Sequence, residues 1–230
     1  MLEIKDLIVD YDDGKRAVDG VSFALAHGEN VALIGANGAG KTSLLLSLIG
    51  VLDARAGAIS VDGTSLGKTT LREIRKNVGL MFQNPDEQLF MPDVFEDCAF
   101  GLRNFGVSED EVALRVGDTL QSLGIAHLAR RSPLKMSGGE KRLAAIATTL
   151  CMEPQYLLFD EPTAFLDPRA RRELHATISA LSQGKLIATH DLDFAAATCS
   201  RVLLLNGGKL SADDTAELLR DEALLIGAGL

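Results

Sequence analysis

The chain has 230 residues, of which 47% are hydrophobic, 24% charged and 5% aromatic; Lys plus Arg total 23 against 32 Asp plus Glu, a formal charge of −9. This composition excludes wholesale disorder and fits one large domain or two small ones. The acidic balance argues against a general nucleic-acid binder and against electrostatic docking on anionic lipid.

Cys98, Cys151 and Cys199 are isolated, and His27, His127, His175 and His190 are scattered, so neither a disulfide framework nor metal-ligand spacing is offered. The opening segment is charged by residue 3 and does not read as a signal peptide. No run approaches the ~18 apolar residues of a membrane span.

In chain order, short strands are expected over 2–9 and 21–26, with a turn in the segment 11–17 between them. The apolar run 30–34 stops at a glycine-rich loop, and a helix-like stretch, TSLLLSLIGVL, follows. A strand over 58–61 closes on the turn Asp62-Gly63, and 78–82 reads as a buried strand. From about 84 to 152 the pattern is helical. There Ser108-Glu109-Asp110-Glu111 reads as a capping box, with Val112, Val116, Leu120 and Leu123 on one face. Strands return at 156–160, 186–189 and 202–206, separated by helical segments that include 168–182 and 192–198. Asn206-Gly207 suggests a hairpin turn, and the last fifteen residues read as a short helix and a tail. Continuous apolar strands alternating with helices imply a parallel sheet covered on both faces, with the helical middle as an insertion.

Three segments carry chemistry. The first is Gly35-Ala36-Asn37-Gly38-Ala39-Gly40-Lys41-Thr42, a G-x-x-x-x-G-K-T sequence lying after an apolar strand and before a helix. Its glycines let backbone N–H groups point at phosphate oxygens, and the helix N-terminus adds partial positive charge. Lys41 can reach the β- and γ-phosphates, and the Thr42 hydroxyl can bind Mg²⁺. Nucleoside triphosphate binding follows, without a choice among kinase, GTPase and ATPase.

The second segment is the acidic pair at the end of Tyr156-Leu157-Leu158-Phe159-Asp160-Glu161. Ligands of parallel sheets bind at the carboxyl ends of strands. Asp160 is thereby placed to hold Mg²⁺ and Glu161 to polarise an attacking water.

The third is Ser137-Gly138-Gly139-Glu140, which can be read as an ordinary capping box. Two glycines in a first turn cost about 1 kcal/mol each against alanine. A bare helix start that receives an anion accounts for them. Two phosphate-facing helix starts with one lysine cradle suggest two molecules, head to tail, each Gly35–Thr42 loop facing the partner's Ser137–Gly139.

In this order of motifs the chain resembles the ATP-binding subunit of an ABC transporter over nearly its whole length. The resemblance implies an α/β fold of one domain over 1–230: a P-loop, RecA-like core with an N-terminal antiparallel β subdomain (1–83 and 153–230), carrying an inserted α-helical subdomain (84–152). It implies ATP and Mg²⁺ as cofactors. Tyr11 matches the aromatic residue that stacks on adenine. Gly35, Ala36, Asn37, Gly38, Ala39, Gly40, Lys41, Thr42 and Ser43 match the phosphate motif. Gln83 matches the glutamine that senses Mg²⁺ and the transmembrane partner, so Thr42, Gln83 and Asp160 form the implied metal set. Ser137, Gly138, Gly139 and Glu140 match the family signature, with Met136 and Glu140 where Leu and Gln are commonest. Glu161 is the implied catalytic carboxylate. Leu166-Asp167 matches the segment that crosses the dimer, and His190 the histidine at the γ-phosphate. Phe165 stands where a small residue is usual.

The stretch Phe82-Gln83-Asn84-Pro85-Asp86-Glu87-Gln88-Leu89-Phe90, with Val94 to Gly101 downstream, resembles the energy-coupling-factor group, importers of vitamins or of cobalt and nickel. The implied partners are a second ATPase subunit, a substrate-binding membrane subunit and a transmembrane coupling subunit. The coupling subunit would dock by arginine-bearing helices near Gln83, Asp86, Glu87, Glu96 and Asp97. A peripheral place on the cytoplasmic face of the cell membrane follows. Cobalt or nickel is the first expected cargo and biotin or another vitamin the second. A soluble ABC-type ATPase acting on nucleic acid is the rival class, against which the charge of −9 weighs.

Overall fold

The computed structural model describes all 230 residues, Met1–Leu230. The chain divides into two compact units, one formed by Met1–Leu80, Gln155–Glu161 and Ser182–Leu230, the other by Met81–Pro154 and Pro162–Leu181. The second unit is therefore larger than the expected insertion over 84–152, because a later helical segment packs within it. The methyl of Ala170 lies 3.2 Å from where a Cβ on Gly139 would stand.

The strands are β1 (Leu2–Asp10), β2 (Arg16–Leu25), β3 (Asn30–Ile34), β4 (Ala56–Val61), β5 (Thr64–Ser65), β6 (Val78–Met81), β7 (Tyr156–Asp160), β8 (Gly184–Thr189), β9 (Arg201–Asn206) and β10 (Lys209–Thr215). The helices are α1 (Lys41–Leu48), α2 (Leu71–Asn77), α3 (Val94–Asn104), α4 (Glu109–Ser122), α5 (Gly138–Leu150), α6 (Pro168–Ala180), α7 (Leu192–Thr198) and α8 (Glu222–Gly227). No helix is long and apolar enough to cross a membrane.

A four-stranded antiparallel sheet, order β2-β1-β4-β5, belongs to the first unit. In β1 the buried residues are Leu2 and Ile4, then Leu7 and Val9. The change of parity falls where the register shifts between Ile4 and Leu7, at Asp6 with φ +48°. One extra residue there keeps both apolar pairs on the core face. β2 starts five residues earlier than the sequence pattern suggests, because Arg16 and Ala17 pair within it.

The larger sheet has the order β10-β9-β3-β8-β7-β6. β3 runs parallel to β8 and β9, and β7 parallel to β8. β7 and β8 are buried along their whole length, as a sheet covered on both faces requires. β10 returns antiparallel to β9, with Asn206 opposite Lys209. The turn residues are thus Gly207 and Gly208, at φ +54° and +81°, and not Asn206-Gly207. Both must be left-handed for a two-residue hairpin to follow the strand twist.

The second unit has its own core, built from α3, α4 and α5 with Val94, Cys98, Leu102, Val112, Val116, Leu120, Ala144 and Ala147 fully buried or nearly so. The capping box expected at Ser108 is not made. Ser108 occupies the N-cap position without a side-chain bond, while Glu111 accepts from Arg115 Nε at 2.6 Å and Glu109 from Arg103. Three acidic residues in the first turn still complement the helix dipole.

Leu120 is 1% exposed in that core. Leu120→Ala is expected to destabilise the chain by about 2–5 kcal/mol in urea unfolding; a loss below about 1 kcal/mol would mean that α4 does not seal this core.

Candidate functional site: a phosphate cradle and a second glycine-rich helix start

The order β3-β8-β7 brings three strand ends side by side. β3 feeds the loop Gly35–Gly40, β7 ends in Asp160, and β8 ends just before His190. Two glycines are demanded by geometry. A Cβ on Gly35 would stand 2.4 Å from the Leu205 carbonyl oxygen, and one on Gly40, at φ +105°, 2.2 Å from the Ala17 carbonyl oxygen. Gly40 is also the N-cap of α1, and no side chain caps that helix. Its first N–H groups therefore face the loop as an anion site.

Lys41 is buried beneath the loop. Its Nζ donates to the Gly35 carbonyl at 2.6 Å and to that of Ala36 at 3.3 Å, and lies 3.6 Å from Glu161 Oε1. Thr42 Oγ1 donates to Asp160 Oδ2 at 2.8 Å. The other Asp160 oxygen, Oδ1, is buried and has no hydrogen-bond partner. Burial raises the Asp160 pKa, with the Glu161 charge adding to it, while the Thr42 bond and Lys41 oppose. A buried carboxylate with one orphaned oxygen, next to a hydroxyl, suits a divalent cation.

Glu161 adopts φ +44°, a conformation that favours glycine, and its N–H donates to the Ala188 carbonyl at 2.8 Å. Its Oε2 lies 2.9 Å from His190 Nδ1 and accepts from the His190 N–H at 3.3 Å. Its carboxylate lies between Lys41 and His190. The Tyr11 hydroxyl bonds the Ser43 hydroxyl, and its ring is partly exposed. The first unit thus gathers Tyr11, Gly35 to Ser43, Asp160, Glu161 and His190.

Gln83, Ser137 to Glu140 and Asp167 belong to the second unit. Ser137 caps α5 in a reciprocal box: its Oγ accepts from the Glu140 N–H, and Glu140 Oε2 accepts from the Ser137 N–H at 2.7 Å. That bond holds the Glu140 carboxylate below its usual range. The box fixes the helix start, and Ser137 and Gly138 remain exposed. Asp167 caps α6, accepting from the N–H groups of Ala170 and Arg169, which lower its pKa. Phe165, two residues earlier, is 95% exposed at φ +62°. An L-residue pays roughly 1–2 kcal/mol there.

Arg142 was not singled out by the motifs. It is 2% exposed, and its guanidinium donates to the carbonyls of Phe82 (3.2 Å), Gln83 (2.6 Å) and Ala164 (3.1 Å). It ties the segments before Gln83 and Phe165 to α5. The signal lay in spacing, since Arg142, Ala145, Ile146 and Thr149 share one buried helical face. Gln88 adds to this, donating to the Ala145 carbonyl and accepting from the Phe82 N–H.

The acidic residues expected to meet arginines differ among themselves. Asp97 is buried, and one of its oxygens accepts from the N–H groups of both Phe90 and Met91 at 2.9 Å. It shapes the loop ahead of α3 and presents no charge to a partner, which corrects the expectation for this residue. Glu96 pairs with Arg103, and Asp86 with Lys141 at 2.5 Å. Glu87 and Gln83 are exposed.

The fold and the cradle define a P-loop nucleoside triphosphatase. A family model described as ABC transporter matches residues 18–164. The chain is 44% identical over 224 residues to the cobalt import ATP-binding protein CbiO of Syntrophus aciditrophicus, covering 95% of this chain and 80% of that protein. It is 42% identical over 236 residues to the energy-coupling factor transporter ATP-binding protein EcfA of Methanothermobacter thermautotrophicus, covering 100% and 76%. Among solved structures, CbiO1 of Clostridium perfringens, part of the ABC transporter complex CbiONQ, superposes with a TM-score of 0.86 at 33% identity, covering 98% of this chain and 92% of that one. The chain belongs to the ABC transporter family, and it is an ATP-binding ATPase with the ABC ATPase fold.

Because burial raises the Asp160 pKa in the folded chain, its ionised form opposes folding. The opposition is full above the folded pKa, falls as pH drops through it, and is gone below the unfolded value of 3.8. Asp160→Asn is expected to melt above the parent at neutral pH, with the advantage narrowing toward about pH 4. An advantage unchanged by pH in calorimetry would contradict the burial effect.

Proposed function

We propose that the chain is the ATPase subunit of an energy-coupling-factor importer, and that its cargo is a transition metal ion, cobalt or nickel. The ATPase part of this reading is carried by one observation: Lys41, Thr42, Asp160, Glu161 and His190 converge at the ends of three neighbouring strands. The names of the relatives support the transporter class and cobalt as cargo.

Two copies close over two ATP molecules, each held between one Gly35–Thr42 loop and the partner's Ser137–Gly139. Tyr11 stacks on the adenine. Lys41 leaves its loop carbonyls for the β- and γ-phosphates, where the local cradle outweighs the chain's net charge of −9. Glu161 accepts a hydrogen bond from water and orients it in line with the γ-phosphate. His190 holds the Glu161 carboxylate and donates to the departing phosphate. Thr42 and the free oxygen of Asp160 would hold Mg²⁺, which would neutralise phosphate charge when bound. Glu140 keeps the partner-facing helix start in shape, and Asp167 fixes the segment that crosses between copies. Loss of the γ-phosphate removes the differential binding that held the copies closed.

Transmembrane partners provide the membrane attachment at its cytoplasmic face. A coupling subunit docks near Gln83, Asp86 and Glu87, where Glu87 is the exposed acidic charge without a close basic neighbour of the kind that Lys141 gives Asp86.

Glu161→Gln is expected to bind ATP at near-parent affinity, to lose turnover by 10²-fold or more, and to accumulate as an ATP-bound dimer. Lys41→Ala should weaken ATP binding itself. Phosphate release and nucleotide titration separate these outcomes; parent-like turnover in Glu161→Gln would remove that residue from the chemistry. Cobalt or nickel uptake by cells carrying the whole transporter, abolished by Glu161→Gln, tests the cargo, and uptake of a vitamin instead would overturn it.

A further inference from the structure

Arg142 carries a charge into the second unit without an opposite charge to meet it. It lies in the second turn of α5 and is 2% exposed. Burial lowers the pKa of its guanidinium, and no carboxylate opposes that. The compensation comes from carbonyl dipoles: Phe82 at 3.2 Å and Gln83 at 2.6 Å from one segment, Ala164 at 3.1 Å from another. Its Nε is buried with no partner at all. A charge taken out of water in this way is a costly means of packing a helix, where an apolar side chain of similar volume would serve.

What the charge does is join two segments. Gln88 ties the first of them alone to α5: its Oε1 accepts from the Phe82 N–H at 3.2 Å, and its Nε2 donates to the Ala145 carbonyl at 2.9 Å. Arg142 bonds both segments at once. A shift of either one strips a buried guanidinium of a partner, so displacement of one segment is resisted by the other. In the function proposed above the two serve different surfaces. Residues 82–87 carry the docking place of the coupling subunit, and Ala164 leads into the segment that Asp167 fixes between copies.

We infer that Arg142 is a coupling residue, which joins the docking segment at Gln83 to the inter-copy segment at Ala164 so that closure of two copies over ATP is felt at residues 82–87. The inference rests on the two-copy reading above and adds to it the side chain that carries closure to the docking surface.

The test uses the full chain in the Glu161→Gln background. Hydrogen exchange is read by mass spectrometry on peptides covering 82–88 and 137–141, with and without Mg·ATP. ATP is expected to slow exchange in both. With Arg142→Met added, 137–141 should still respond to ATP, while the response at 82–88 should shrink by about threefold or more. Arg142→Lys keeps the charge but lacks the planar fork that spans two segments, and its response should fall between. Without nucleotide, Arg142→Met should melt within roughly 3 °C of its parent, because Phe82 and Ala164 are only half-buried and Gln83 is exposed, leaving their carbonyls to water. A parent-like response of Arg142→Met at 82–88, no response of the parent there, or an equal loss at both peptides would overturn the coupling and leave the two-copy reading standing. If Arg142→Met does not fold, Arg142→Lys decides in its place by the same comparison. If the Glu161→Gln parent stays monomeric with ATP and 137–141 does not respond, the two-copy reading fails and the coupling with it.

Discussion

The hydrogen bond from Thr42 to Asp160 joins the first turn of α1 to the end of β7, two places separated by 118 residues of chain. It can form because β8 lies between β3 and β7 in a parallel sheet, which aligns the carboxyl ends of all three strands. Reverse any one of these strands and Lys41, Asp160 or His190 leaves the cluster. β7 and β8 are buried along their whole length, so this part of the sheet is packed on both faces.

The cradle is electrostatically prepared before any nucleotide arrives. Lys41 is satisfied by two carbonyls and faces Glu161, so its charge is neither bare nor lost to solvent. Asp160 pays for its burial with a raised pKa and one unpartnered oxygen. Glu161 is held by two groups of His190 on a strained backbone. An acidic protein can therefore hold an anion, because helix N–H groups and one lysine act at contact distance while most of the net charge is screened.

Much of this was legible in the residues. The run 30–34 and the run 156–160 coincide with β3 and β7, since buried parallel strands read as unbroken apolar segments. The spacing of Gly35, Gly40, Lys41 and Thr42 located the loop, because only glycine satisfies the approaches from Leu205 and Ala17. What stayed hidden depends on tertiary neighbours. Asp97 reads as one more surface acid, yet two backbone N–H groups draw it inside. Ser108 satisfies a capping pattern whose glutamate prefers an arginine one turn on. Arg142 looks like a charge after a signature and is a buried clamp on three carbonyls. No periodicity announces the left-handed Phe165.

The Lys41 cradle and the Ser137 helix start sit in different units of the chain. The proposed chemistry needs both on one phosphate, one from each of two copies. Mixing two inactive variants tests this most directly. In a mixture of Lys41→Ala and Ser137→Arg chains, a mixed pair has one site with an intact Lys41 from one copy and an intact Ser137 from the other. ATP hydrolysis should return to a substantial fraction of the parent rate on mixing, while each variant alone stays inactive. A mixture as inert as its components would contradict a catalytic site shared between copies.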